Sequence, residues 1–155
     1  MNFKYVSENT FKQITLHDCV IEEIIFSDNK ITFIFDHIDV LLSHPLNGTN
    51  NPKCTGKAEL IFENYSELKS LNYETSYING DKVIITKEKI IDEVELNKIA
   101  KDMEVLDVQE ELSENIFQLT FSGIDEYRNF NVFKLNFEKS IVCWNEFTDD
   151  AWFAN

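Results

Sequence analysis

The chain has 155 residues and carries 28 acidic against 14 basic side chains, a net charge of −14. With a single arginine, Arg128, this balance argues against an arginine-built phosphate or nucleic-acid surface. The 43% apolar content with 13 Phe excludes a disordered chain, and 4 Gly and 2 Pro exclude a low-complexity linker. A chain of this length is expected to form one domain, residues 1–155, with a core of its own.

The start, MNFKYVSENTFKQ, has no apolar leader segment. No run approaches the roughly 18 apolar residues of a membrane-spanning helix. Three cysteines, Cys19, Cys54 and Cys143, make no disulfide framework. The expectation is a cytoplasmic protein with reduced thiols and no membrane partner.

Phe3, Tyr5, Phe11 and Ile14 are expected to pack on a sheet edge, with NTFKQ as a loop or one helical turn. Leu16–Val40 then reads as two long strands joined at Asp28-Asn29. Asp and Asn tolerate the positive φ that a type I′ turn needs at both central positions. Such a turn makes opposed residue numbers sum to 57: Phe26 faces Ile31, Ile24 faces Phe33, Glu22 faces Phe35, Val20 faces His37 and Asp18 faces Asp39. The turn end is then apolar. The far end of the same side carries Asp18, Glu22, His37 and Asp39, carboxylates with an imidazole, a plausible divalent-cation set. The other side holds Cys19, Ile21, Ile25, Ile34 and Ile38, so the hairpin is expected to be covered on both faces near its turn. His17 and Cys19 share a side but Asp18 does not, and a buried strand position is the ordinary place for a free Cys. No catalytic residue is assigned, and the reading leans away from an enzyme.

Residues 43–56 form a long loop with both prolines. Lys57–Tyr65 reads as a strand, residues 66–81 as a polar stretch ending in the turn signal Asn79-Gly80-Asp81, and Lys82–Thr86 as a short strand. Asp92-x-x-Glu95 resembles a capping box before a helix over about 93–103. Four strands follow: Val105–Leu112, Ile116–Ser122, Phe130–Glu138 and Ser140–Phe147. The expected fold is mainly β, a β-rich α+β domain: an antiparallel sheet, or two packed sheets as in a β-sandwich, with one helix.

Nine acids against Lys98 and Lys101 fall between Asp92 and Glu114, so half of the net charge lies in that run. Asp92, Glu93, Asp107, Glu110, Glu111 and Glu114, with Asp149, Asp150 and Trp152 of the aromatic tail, are candidates for docking a basic protein.

Leu16-His17-Asp18-Cys19-x-Ile21-x-x-Ile24 and the strand Ile31-Thr32-Phe33-Ile34-Phe35, with Trp144-x-x-Phe147 and Ala151-Trp152, resemble small bacterial proteins of the YxiG-like kind. Some of those lie in toxin–immunity gene neighbourhoods. The resemblance carries no catalytic residues; taken with the acidic surface, the expectation is a non-enzymatic protein-binding domain of immunity or inhibitor type that masks a basic partner such as a toxin. The alternatives are a metal-binding module or metal-dependent enzyme at Asp18, His37 and Asp39, needing a divalent cation, and a β domain that binds a small ligand in an apolar cavity. The partner and the oligomeric state stay open at this level.

Overall fold

The computed structural model describes residues 2–154. Its strands, in chain order, are β1 Tyr5–Glu8, β2 Ile14–Thr15, β3 Ile21–Ser27, β4 Lys30–Phe35, β5 Asp39–Val40, β6 Lys53–Thr55, β7 Ala58–Glu63, β8 Ser66–Ile78, β9 Asp81–Ile90, β10 Glu104–Ser113, β11 Ile116–Ile124, β12 Phe130–Phe137, β13 Lys139–Trp144 and β14 Phe147–Asp150. One α-helix, α1 Glu93–Ala100, and a 3-10 turn at Phe11–Gln13 complete the described elements. The fold is mostly antiparallel β with a single helix, as composition and alternation suggest.

Three sheets form. One runs β1-β13-β7-β4-β3, a second β10-β11-β12-β8-β9, and a small ladder β14-β6-β5-β2. The two large sheets face each other through aromatic side chains supplied by strict alternation. Phe33 and Phe62 of the first sheet meet Phe121 and Phe133 or Phe137 of the second, with ring centroids 4.8–6.4 Å apart. Every second residue is buried along β4 and β7, from Leu119 to Gly123 in β11, and from Phe133 to Phe137 in β12. Each such Phe, Leu or Ile contributes about 1.5–3 kcal/mol through burial.

The helix begins where the capping box places it. The Asp92 side chain accepts from the Glu95 N–H at 2.8 Å. The helix buries Leu96 and Ala100 and packs on β3, β8 and β12. It ends at Ala100, short of the expected 103, because Asp102 turns the chain with a φ of 64°. Met103 is buried beyond that turn.

The first hairpin keeps the expected type I′ turn, with φ of 40° at Asp28 and 62° at Asn29. Its register follows the sum of 57 from Ser27↔Lys30 to Glu23↔Ile34. Then it shifts: Ile21 pairs with Phe35, and Glu22 is the extra residue of a bulge. Asp18 is therefore not opposite Asp39, nor Val20 opposite His37. Val20 bridges Glu104 instead, and Asp18 N–H donates to Val105 C=O at 2.8 Å. Covering of both hairpin faces is also not what forms. β3 is a sheet edge and not a central strand, and no described element covers its second face near the turn, where Ile25 is 43% exposed.

The polar stretch 66–81 is mostly strand. β8 and β9 form a hairpin in unbroken register from Lys69↔Ile90 to Ile78↔Asp81, turning at Asn79-Gly80 with φ of 52° and 82°. Beyond Leu71 its residues are largely exposed on both faces. A strand with no buried face has no reason to alternate, so periodicity does not reveal it.

Candidate functional site

Two links leave the first large sheet side by side and enter the small ladder. One is Leu16–Val20, between β2 and β3. The other is Asp36–Ile38, between β4 and β5. In the first, Asp18 adopts a φ of 66°, and Cys19 N–H closes the turn on Leu16 C=O at 2.9 Å. Cys19 is fully buried, pinned by Val105 N–H donating to its carbonyl at 2.8 Å. In the second, Asp36 Oδ1 accepts from the Val20 and His37 N–H groups, each at 2.8 Å. The same oxygen lies 2.9 Å from His37 Nδ1. This carboxylate orients the imidazole and leaves Nε2 free, as the outer carboxylate of a metal-bound histidine does. Asp39 follows on β5, paired with Thr15 of β2 and Cys54 of β6.

Cys19, His37 and Asp39 each offer a ligand atom, and these atoms lie within 4.8 Å of one another. Ligands on a tetrahedral zinc ion sit about 3–4 Å apart, given bonds of about 2.0–2.3 Å, so small side-chain rotations close the set. Asp39 is 1% exposed, and its Oδ2 has no hydrogen-bond partner. A buried carboxylate oxygen left unmatched is costly.

The electrostatics agree with the geometry. Burial pushes the Cys19 thiol far up, and Asp39, Asp36, Cys54 and Asp18 add to it. Burial likewise raises Asp39, against the opposing charge of His37. His37 is raised by its hydrogen bond to Asp36, although its own burial opposes. Burial would also lift Asp36, but the bonds from His37 and the Val20 N–H outweigh it and hold that carboxyl low. A cation among these groups would relieve the thiol and the carboxylate together. Cys54, half-buried and paired with Asp39 across β5 and β6, is raised mainly by its own burial.

These shifts set a pH dependence. A raised His37 stabilises the fold fully below its unfolded pKa of about 6.5, and that contribution is lost as pH rises through the higher folded value. The raised Asp39 has the same sign at lower pH, while the depressed Asp36 acts oppositely, stabilising until acid protonates it. The metal-free protein should therefore lose stability as pH rises above about 6.5, and His37→Gln should flatten that slope. Urea midpoints across this range check it; an unchanged slope in the variant would show that His37 is not the group responsible.

Of the residues expected at the far end of the hairpin, the fold gathers His37 and Asp39. Asp18 is exposed nearby, 3.5 Å from His17 Nε2. The bulge turns Glu22 to Lys57 Nζ at 2.7 Å. Cys19 joins because its link is a turn and does not follow strand alternation. Cys54 comes to lie next to Asp39 because β6 forms within the 43–56 loop and pairs with β5. Neither carries a local sequence signal for this role; Asp36 next to His37 is the one cue of an oriented imidazole.

The acidic candidates divide among several places. Asp92 and Glu93 lie at the helix start, where Glu93 accepts from the Tyr65 hydroxyl. Asp107, Glu111 and Glu114 are exposed along β10 and its turn, while Glu110 is half-buried with Lys12 Nζ 3.9 Å away. Asp150 is held by Lys53 Nζ at 2.6 Å, Asp149 is exposed, and Trp152 is 65% exposed beside the His17 ring. A cleft of about 550 Å³ between Phe11–His17 and β10 is lined by Lys12, His17, Asp107 and Glu110 as well as apolar groups. No helix among the described residues is long and apolar enough to cross a membrane. Comparison with protein-family models, curated proteins and solved structures found no match.

Proposed function

We propose that this protein is a metal-binding β module in which Cys19, His37 and Asp39 hold a zinc ion, with Cys54 or water in the fourth position. The observation that carries this is the buried, unpartnered Asp39 oxygen within 4.8 Å of a thiol and an Asp-oriented imidazole. Mixed S, N and O ligation suits Zn²⁺ better than Mg²⁺ or Ca²⁺, which take oxygen sets. The ligands come from two separate links and β5, so the ion would clip the first sheet to the small ladder. Its role is structural, and no catalytic step is assigned.

Zinc at about 100 times its Kd should add about 2.7 kcal/mol, a rise of roughly 5–10 °C in Tm for a domain of this size. Mass analysis should find one ion per chain. Cys19→Ser and Asp39→Asn, with their folds checked by circular dichroism, should each lose most of that rise. Absence of stabilisation in the wild type, or an equal rise in both variants, would sink the assignment.

A second reading, an acidic domain of immunity or inhibitor type that masks a basic partner such as a toxin, is supported by the charge arrangement. Among the described residues, nine lysines already meet a carboxylate: Lys12, Lys30, Lys53, Lys57, Lys69, Lys87, Lys89, Lys134 and Lys139. The excess acids, Asp107, Glu111, Glu114 and Asp149 among them, remain on exposed surface. Capture of a basic protein from lysate at low salt, lost at high salt, tests it.

A further inference from the structure

We infer that β9 is a self-pairing edge through which two copies of this chain join their second sheets into one continuous antiparallel sheet. Exposed strand edges invite pairing, and folds usually blunt them. The other free edges of the large sheets are blunted here. β1 has four residues, β3 is bulged at Glu22, and β10 is bulged after Val105 and lined by Glu104, Asp107, Glu110 and Glu111. β9 is neither short nor bulged, and its charged residues, Asp81 and Lys82 at one end and Lys87, Glu88 and Lys89 at the other, flank an uncharged centre and are of both signs. It runs ten residues without a register shift and centres on Val83-Ile84-Ile85-Thr86. Ile84 and Ile85 are 63% and 38% exposed.

Charge supports a second copy over a basic or acidic partner. In a chain of net −14, the β8–β9 hairpin is neutral: Glu67, Glu74, Asp81 and Glu88 balance Lys69, Lys82, Lys87 and Lys89. Two such hairpins meet without the repulsion that the rest of the surface would impose.

The register follows from three constraints. A two-fold axis normal to the sheet matches like faces, so opposed residue numbers must have an even sum. Ile91 N–H donates to Leu68 C=O, which turns the backbone groups of odd β9 residues toward β8 and those of Lys82, Ile84, Thr86 and Glu88 toward the free edge. Among registers of even sum, the one centred on Ile85 sets Asp81 opposite the second copy's Lys89 and Lys82 opposite its Glu88, each twice by symmetry. A centre at Ile84 gives only Asp81 opposite Lys87, a centre at Thr86 gives no opposed charges, and a centre at Lys87 places that lysine against itself. The Ile85 register forms about eight backbone hydrogen bonds across the edge. Its cross-copy pairs extend ion networks already present, Glu88 with Lys134 and Lys69, and Lys89 with Glu95.

The test is sedimentation of the full chain from about 1 to about 500 μM, together with cysteine crosslinking. A monomer–dimer equilibrium is expected. Ile84→Pro removes an outward N–H and no bond to β8, so it should abolish the dimer while circular dichroism shows the fold intact. Asp81→Lys should weaken association about tenfold, and the double change Asp81→Lys with Lys89→Asp should recover it. Ile85→Cys should oxidise to a covalent dimer, while Val83→Cys and Lys87→Cys should not. A monomer throughout, growth beyond a dimer, or a dimer untouched by Ile84→Pro would each overturn the inference.

Discussion

Phe33→Ala should lower unfolding free energy by about 3–5 kcal/mol, the largest loss expected from any single truncation in this core. Phe33 is fully buried at the middle of β4. Its ring centroid lies 5.7 Å from Phe62 and 6.5 Å from Phe35 on its own sheet, and 5.7 and 6.0 Å from Phe121 and Phe133 across the interface. With Phe62, it is one of the rings that contact aromatic side chains of both large sheets. Its neighbours are held in their own ladders and cannot collapse into the space, so a cavity term adds to the lost transfer energy. A domain of this kind has about 5–15 kcal/mol in all, so the variant should unfold at a much lower urea concentration. A shift worth less than about 1 kcal/mol would mean that the two sheets are not joined through this side chain.

Gly123→Ala is expected to destabilise, although alanine in a strand ordinarily gains about 0.5–1 kcal/mol over glycine. Gly123 lies in β11 opposite Val105 and Asn131. A Cβ there would sit 2.4 Å from the Glu104 carbonyl oxygen and 2.6 Å from Met103 Cγ. Met103 is fully buried, and Glu104 is tied to Val20 by a bridge, so neither can withdraw freely. Overpacking of this kind costs about 1–3 kcal/mol, and displaced backbone places it toward the upper end. The strain would reach the candidate metal centre, because Val105 N–H holds Cys19. A urea midpoint equal to or above the wild type would show that β10 yields more easily than the contacts imply.

The readable parts of the fold were those where one face of an element is buried. Phe117, Leu119 and Phe121, and Phe133, Leu135 and Phe137, alternate because alternate residues must enter the core. Asp92 and Glu95 mark the helix start because the first N–H groups need an acceptor. Asp28-Asn29 sets the hairpin turn because few residues tolerate its φ values. In the β8–β9 hairpin the turn at Asn79-Gly80 and the short strand Lys82–Thr86 were readable, but β8 was not, since water bathes both faces of its outer part.

The candidate site divides in the same way. Sequence alone marked Asp18, Glu22, His37 and Asp39 as one set, through a hairpin register that holds only from its turn as far as Glu23. The bulge at Glu22 ends that register, and strand alternation says nothing about where a one-residue insertion falls. Beyond it, the turn at Asp18 and the small ladder bring Cys19 and Cys54 to Asp39 from positions well apart in the chain. Local chemistry determined which elements form and which way they face. The meeting of links from different elements was decided by tertiary structure, because it depends on where the packed sheets let the chain leave them.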